Sequence, residues 1–206
     1  MTSSNEILTI GHSSLSYDHF LSLLKKARVG MIVDVRSAPF SRRNPQFNRA
    51  DLSTELSKDR VGYVFLGNAL GGRPKDSGLF SEGTADYEKM AQSALFQKGL
   101  KQLQKVAETQ RVALMCSEGN PLNCHRCLLV GRALSECGIP VRHILVDGRI
   151  VSHADAEDRL LEISKADHAD FFLPRSERLK TAYRMRARKV AYSEQRSYRG
   201  DDAAAE

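Results

Sequence analysis

At 206 residues the chain is long enough to bury a hydrophobic core without disulfide or metal staples, and it suits one domain of moderate size with an appendage. Its 41% hydrophobic and 27% charged residues are those of an ordinary globular protein, and no apolar run nears the roughly 18 residues of a membrane-spanning helix. The net charge of +6 is uneven: between residues 171 and 199 nine Lys/Arg stand against only Glu177 and Glu194, so the body is near neutral and the C-terminal arm is basic.

The opening MTSSNEILTIGHSS lacks the basic-then-apolar order of a secretory signal. A cytoplasmic protein of prokaryotic style is expected, with its four cysteines as thiols rather than a disulfide framework. In chain order the first strand is predicted at Ile7–Ile10. Ser16 then caps a helix that presents Phe20, Leu23, Leu24 and Ala27 on one face. A second strand is predicted at Met31–Val35, and Asp51 opens a short helix through Leu52 and Leu56. A third strand covers Tyr63–Leu66, followed by a long glycine-rich excursion from Gly67 to Gly83 that reads as an ordered loop or lid. Thr84 or Asp86 starts a longer helical region, with Leu100, Leu103 and Ala107 at helical spacing. The fourth strand is Val112–Met115. Asn120 and Pro121 form a strong helix start, Gly138 a stop, and His143–Val146 the fifth strand.

Strands alternating with helices predict a three-layer α/β domain, Rossmann-like in the broad sense, with a mostly parallel sheet of about five strands. The domain is expected over residues 1–164, with a basic, partly helical extension over 165–206. No G-x-G-x-x-G follows a strand and Gly67-NALGG has the wrong spacing, so NAD is not expected.

Aligned by their carboxyl ends, the strands run into Gly11-His12-Ser13, Asp34 and Arg36, Gly67-Asn68, Cys116-Ser117-Glu118, and Asp147 with His153 beyond a turn. In a parallel sheet these groups converge on one edge, where open α/β sheets bind ligands. Polar residues follow any buried strand because loops are exposed, but that does not explain the choice of His, Asp, Arg, Cys and Glu.

TIGHSS near the start, VDVRSAPFSRRNPQF, the YVFLGNALGG segment and MCSEGNPLNCHR together make the chain resemble the bacterial and archaeal family catalogued as domain of unknown function 488, over roughly residues 7–155. The resemblance implies a compact α/β domain with His12, Asp34, Arg36, Cys116, Glu118, Cys124, His125 and Arg126 near one another, and it implies no particular reaction. Cys127 lies outside that pattern.

Three chemistries suit the stretch from Cys116 to Arg126. Cys116, a thiol at a strand-to-helix turn, sits near a positive helix end, where thiolate is favoured, and is the expected nucleophile with His125 or His12 as its base. The cysteine phosphatase loop of a Cys, five residues and an Arg is disfavoured, since residue 122 is Leu and the next Arg is Arg126, and another thiol chemistry stays open. Metal binding is the second: Cys124 and Cys127, three apart on a helix, are placed to face one way, with Cys116 and His125 as further candidate ligands, although His125 is expected to project away from the Cys124/Cys127 side. The third is anion grip by Arg36 and Arg126 with packing cysteines, the role expected for Cys137.

Residues 36–49 carry Arg36, Arg42, Arg43 and Arg49 without an acid, interleaved with Phe40 and Phe47, and the C-terminal arm combines its charge with Tyr183, Tyr192 and Tyr198. Positive charge attracts phosphates and exposed aromatic faces stack on bases. The expected function is therefore an enzyme acting on a phosphate-bearing substrate, a nucleotide or nucleic acid, with no membrane partner. Cys116, Glu118, His125, His12 and Asp34 are the catalytic candidates, and Arg36, Arg126, Cys124 and Asn68 the substrate contacts. The alternatives are a nucleic-acid-binding module using Arg42, Arg43, Arg49, Arg184, Arg186 and Arg188, and a metal or thiol-redox protein. No cofactor is expected beyond the transition metal of that last alternative.

Overall fold

The computed structural model describes residues 6–164 and 173–194. A six-stranded sheet forms the middle layer, and its strands are β1 (Ile7–Gly11), β2 (Met31–Asp34), β3 (Gly62–Phe65), β6 (Val112–Cys116), β7 (Val141–Ile144) and β8 (Ile150–Ser152). The spatial order is β3-β2-β6-β1-β7-β8, parallel except for the antiparallel edge strand β8. The α/β reading holds, with one strand more than expected. The fifth strand begins right after Pro140, two residues earlier than predicted, because Leu145–Gly148 is a turn with Gly148 at φ +82° that reverses the chain into β8.

One face of the sheet is covered by α1 (Tyr17–Lys26) and α2 (Arg49–Lys58), with Phe20, Leu24, Leu52, Leu56 and Phe47 packed on Leu8, Ile10, Ile32, Ala113 and Met115. Ser16 caps α1 as predicted, accepting from the His19 N–H. The other face carries α4 (Tyr87–Gln92), α5 (Ala94–Ala107), α6 (Arg132–Glu136), α7 (His153–Ser164) and α8 (Arg175–Val190). Asp86 caps α4, whereas Thr84 belongs to the small hairpin of β4 (Phe80–Ser81) and β5 (Thr84–Ala85). The glycine-rich excursion is ordered: it holds the one-turn helix α3 (Gly67–Leu70) and the first strand and turn of that hairpin. Ala182, Tyr183 and Ala191 of the basic C-terminal stretch are buried in the same core as α4, α5 and α7. Arg196, Tyr198 and Arg199 lie outside the described residues.

The predicted helix from Pro121 is broken into three. Asn120 accepts from the Leu122 N–H and caps a single 3-10 turn, Pro121–Asn123, after which Cys124 returns to extended backbone (φ −138°, ψ 140°). The chain then enters a π-helical turn, Arg126–Gly131, all of it buried, before α6. Such widened turns concentrate at functional sites.

Strand alternation decides which side chains meet. Val112, Leu114 and Cys116 face α4–α8, while Ile32, Ala113 and Met115 face α1 and α2. From β2 the chain runs outward to β3, and from β6 it runs the opposite way, past β1, to β7. The crevice between the carboxyl ends of β2 and β6 is therefore a topological switch point, the usual ligand position in open α/β sheets.

Candidate functional site

Two clusters occupy that switch point. The first lies toward α1 and α2. Asp34, fully buried at the end of β2, accepts from Arg36 Nε at 3.0 Å and Nη2 at 2.6 Å, from the Arg36 backbone N–H at 3.0 Å, and from the Tyr63 hydroxyl at 2.7 Å. Arg36 Nη2 also donates to the Phe47 carbonyl at 2.8 Å, and its Nη1 to His12 Nε2 at 3.2 Å. His12 Nδ1 must then carry the hydrogen, because its partner at 2.8 Å is the Ser13 carbonyl, which only accepts. The His12 ring stacks on Phe47 with centroids 4.3 Å apart. Burial, helped by the Arg36 charge, lowers the His12 pKa to about 4 against the hydrogen bond to Ser13, so the imidazole is neutral. Four of the five Arg36 N–H groups are spent inside this network.

The second cluster lies on the other face. Cys116 Sγ is 3.6 Å and Cys124 Sγ 3.8 Å from His125 Nδ1. His125 Nε2 lies 2.9 Å from the Val35 carbonyl and so carries a hydrogen, which turns Nδ1 to the two sulfurs. The expectation that His125 projects elsewhere is corrected by this hydrogen bond. The expected pairing of Cys124 with Cys127 is corrected too: extended backbone at Cys124 sends its sulfur to Cys116, whereas Cys127 Sγ lies beside His143 and His153.

Arg126, fully buried, donates through Nη1 to the Glu118 carbonyl and through Nη2 to the Gly119 carbonyl at 2.9 Å. It has no carboxylate partner among the described residues, and its Nε has no hydrogen-bond partner. Its charge is offset where thiolate forms. Burial opposes ionisation of Cys124, yet the hydrogen bond from the Cys116 thiol and the positive fields of Arg126 and His125 hold its pKa well below the usual thiol range. Cys116 moves the other way, raised well above that range by its hydrogen bond to Cys124 and by burial. The pair thus keeps one proton on Cys116 and releases the other from Cys124. Burial pushes the Cys127 thiol up to about 12.

A cavity of about 190 Å³ opens onto the second cluster, lined by Arg36, Arg73, Cys116, Glu118, Cys124, His125 and Tyr192 among others. That is less than the roughly 300–1,000 Å³ of pockets enclosing a whole drug-sized ligand, so it admits one reacting group. Gly72 shapes its wall: a Cβ there would stand 2.9 Å from the His125 ring. Arg73 is exposed, its guanidinium 5.0 Å over the Tyr192 ring.

Of the predicted residues, Cys116, Glu118, Cys124, His125 and Arg36 therefore share the cavity, while His12, Asp34 and Arg126 stand behind its walls. Glu118 is exposed at the rim. Asn68 lines a separate cavity with Met90 and Phe96. Arg42 and Arg43 are exposed on the β2–α2 loop, and Arg49, also exposed, opens α2 and stacks 4.4 Å over Phe65. Arg184 is paired with Glu88, Arg186 donates to the Leu122 carbonyl and Asn123, and Arg188 lines a cavity beside α4. Sequence reasoning missed Arg73 and the Val35 carbonyl, for which spacing carries no signal, and named Tyr192 only as part of the basic arm. It also left His143 unassigned, although an imidazole inside an otherwise apolar strand is itself a signal.

Among the described residues, two Cys/His groups have their donor atoms close enough together to hold a metal ion: Cys116, Cys124 and His125, and Cys127, His143 and His153. No helix among the described residues is long and apolar enough to cross a membrane. The molecule is thus an open α/β domain with a thiol–imidazole cluster at its topological switch point. The family model described as "Domain of unknown function DUF488" matches residues 16–133, and the chain belongs to that family. The match is narrower than the resemblance over 7–155: it begins after TIGHSS and ends before His143. No curated protein and no solved structure matches the chain.

Proposed function

We propose that the protein is an enzyme that uses the Cys124 thiolate on a small anionic group of a phosphate-bearing substrate. The observation that carries this reading is the convergence of Cys116 Sγ, Cys124 Sγ and His125 Nδ1 at a cavity backed by Arg126, which has no carboxylate partner among the described residues. Cys124 is the nucleophile, His125 Nδ1 takes and returns its proton, and Cys116 donates a hydrogen bond that stabilises the thiolate. Arg73, exposed at the rim, is the anion contact. Arg36 and Arg126 act through position and field, since their N–H groups are largely committed to protein acceptors.

The test compares alkylation of Cys124 by iodoacetate and iodoacetamide from pH 5 to pH 9, read by peptide mass spectrometry. Cys124 is expected to be labelled ahead of the exposed Cys137 at the acidic end of that range, and faster with the anionic reagent. In a panel of nucleotides and short oligonucleotides, Cys124→Ser is expected to lower turnover by about 10³-fold or more. Labelling of Cys137 ahead of Cys124 at every pH, or turnover unchanged by the substitution, overturns the assignment.

A second reading, single-stranded nucleic acid held on the β2–α2 loop, is favoured by Phe40, 68% exposed beside exposed Arg42 and Arg43. The double substitution Arg42→Ala/Arg43→Ala is expected to reduce the slope of log affinity against log salt by about 2. An unchanged slope removes the loop from the interface.

A further inference from the structure

At the π-helical turn lies a third cluster, which the thiol chemistry does not use. Cys127 Sγ is 3.7 Å from His143 Nε2 and 4.0 Å from His153 Nδ1, and the two nitrogens are 3.0 Å apart. The residues come from the π turn, β7 and the first position of α7, and are 1%, 0% and 4% exposed.

The outer nitrogen of each imidazole is held in place. Thr9 and His143 are register partners on β1 and β7, and Thr9 Oγ1 lies 2.8 Å from His143 Nδ1. Tyr183 of α8 donates its hydroxyl hydrogen to Glu157 at 3.0 Å, so its oxygen accepts from His153 Nε2, also at 3.0 Å. His153 Nδ1 is therefore a bare lone pair directed at Cys127 and His143. Hydroxyl and carboxylate partners on the remote nitrogen are what orients and strengthens metal-binding histidines.

We propose that Cys127, His143 and His153 form a buried site for a thiophilic metal ion, with three-coordinate Cu(I) the best match. An ion about 2.3 Å from a thiolate and about 2.0–2.1 Å from each imidazole is compatible with these separations. Two observations select copper. Among the described residues the cluster supplies three donors, whereas structural zinc takes four; a thiolate with two imidazoles in a trigonal arrangement suits copper. A thiolate with a monovalent ion is also neutral, while a divalent ion would add net positive charge to an interior that already holds Arg126.

Loading is a proton-for-metal exchange without redox change. One Cu–S and two Cu–N bonds form, and the Cys127 thiol proton leaves for solvent. Any hydrogen on His143 Nε2 moves to Nδ1, where Thr9 Oγ1 accepts it. The ion would join β7, α7 and the π turn, and through Tyr183 would engage α8.

The test uses the full chain carrying Cys116→Ser, Cys124→Ser and Cys137→Ser, which leaves Cys127 as the sole thiol and disables the proposed active site. Anaerobic titration with Cu(I) against a chromophoric copper(I) chelator, and separately with Zn²⁺ and Co²⁺, reads the site. One equivalent of Cu(I), one proton released, and an X-ray absorption signature of one sulfur and two nitrogens are expected. Adding Tyr183→Phe should lower the affinity about 10- to 100-fold. Tight Zn²⁺ or Co²⁺ without Cu(I) upholds the site and overturns the copper assignment. No bound metal in protein folded by circular dichroism overturns the proposal. If the triple variant does not fold, Cys127→Ser in the otherwise native chain is expected to bind one equivalent fewer, and equal stoichiometry overturns the proposal.

Discussion

Replacing Asp34 by Asn is expected to destabilise the protein by about 3–5 kcal/mol, the cost of leaving one member of a buried ion pair without its partner. The substitution keeps size and shape but removes the only carboxylate among the described residues paired with Arg36, whose side chain is 4% exposed. It also places an amide where the carboxylate accepted from Arg36 Nε, Nη2 and backbone N–H and from Tyr63. A loss of that size is a large part of the roughly 5–15 kcal/mol that holds a domain folded. Lys25→Ala is the control. Its pair with Asp59 has the lysine side chain 60% exposed, and such surface pairs contribute about 0–1 kcal/mol. Urea midpoints for both variants decide the matter: equal shifts would show that the Asp34–Arg36–His12 network does not carry the carboxyl end of β2. The substitution should also disturb the cavity, because Arg36 lines it from one side and donates to His12 on the other.

Acid should unfold the metal-free protein at a pH where most carboxylates are still charged. His12 has a pKa of about 4 in the native state, lowered mainly by burial, against about 6.5 in an unfolded chain. Between those values the unfolded chain takes up a proton that the native state refuses. The stability contributed by burying the neutral ring is full above pH 6.5 and is lost as pH falls toward 4. For His12 that loss is roughly 3 kcal/mol. His153, with a pKa of about 4, and His143, held well below its ordinary value, are lowered mainly by burial and add losses of the same sign. Stability measured by urea unfolding with a chelator present should therefore fall steeply from pH 7 to pH 4.5. His12→Gln should flatten part of that slope. A flat profile over this range would mean that the imidazoles are solvated in the native state.

Much of the architecture was legible because the strands are short apolar runs separated by helix signals with identifiable caps. Ser16 and Asp86 each accept the backbone N–H groups of the helix they precede. Where the prediction slipped, local geometry competed with pattern. Pro121 does open a turn, but Asn120 closes it after one round of 3-10 helix and Cys124 goes extended. The edge strand β8 escaped notice because Ile150–Ser152 is three residues long and joined by a tight glycine turn.

The chain's own order of residues determined that Cys116, Glu118, Asp34, Arg36 and His12 would gather at one end of a parallel sheet, since every strand of a parallel sheet delivers its carboxyl end to the same edge. Only the tertiary structure decided how they divide. Alternation within β2 and β6, combined with the parallel register, turns Asp34 toward α1 and α2 and Cys116 toward the π turn. The Asp34–Arg36–His12 network and the Cys116–Cys124–His125 cluster thus meet at one edge with different partners and different burial. In the same way Cys124 and Cys127, neighbours in a CHRC motif, end up in different clusters, because the backbone between them passes from extended to π-helical and points their sulfurs apart.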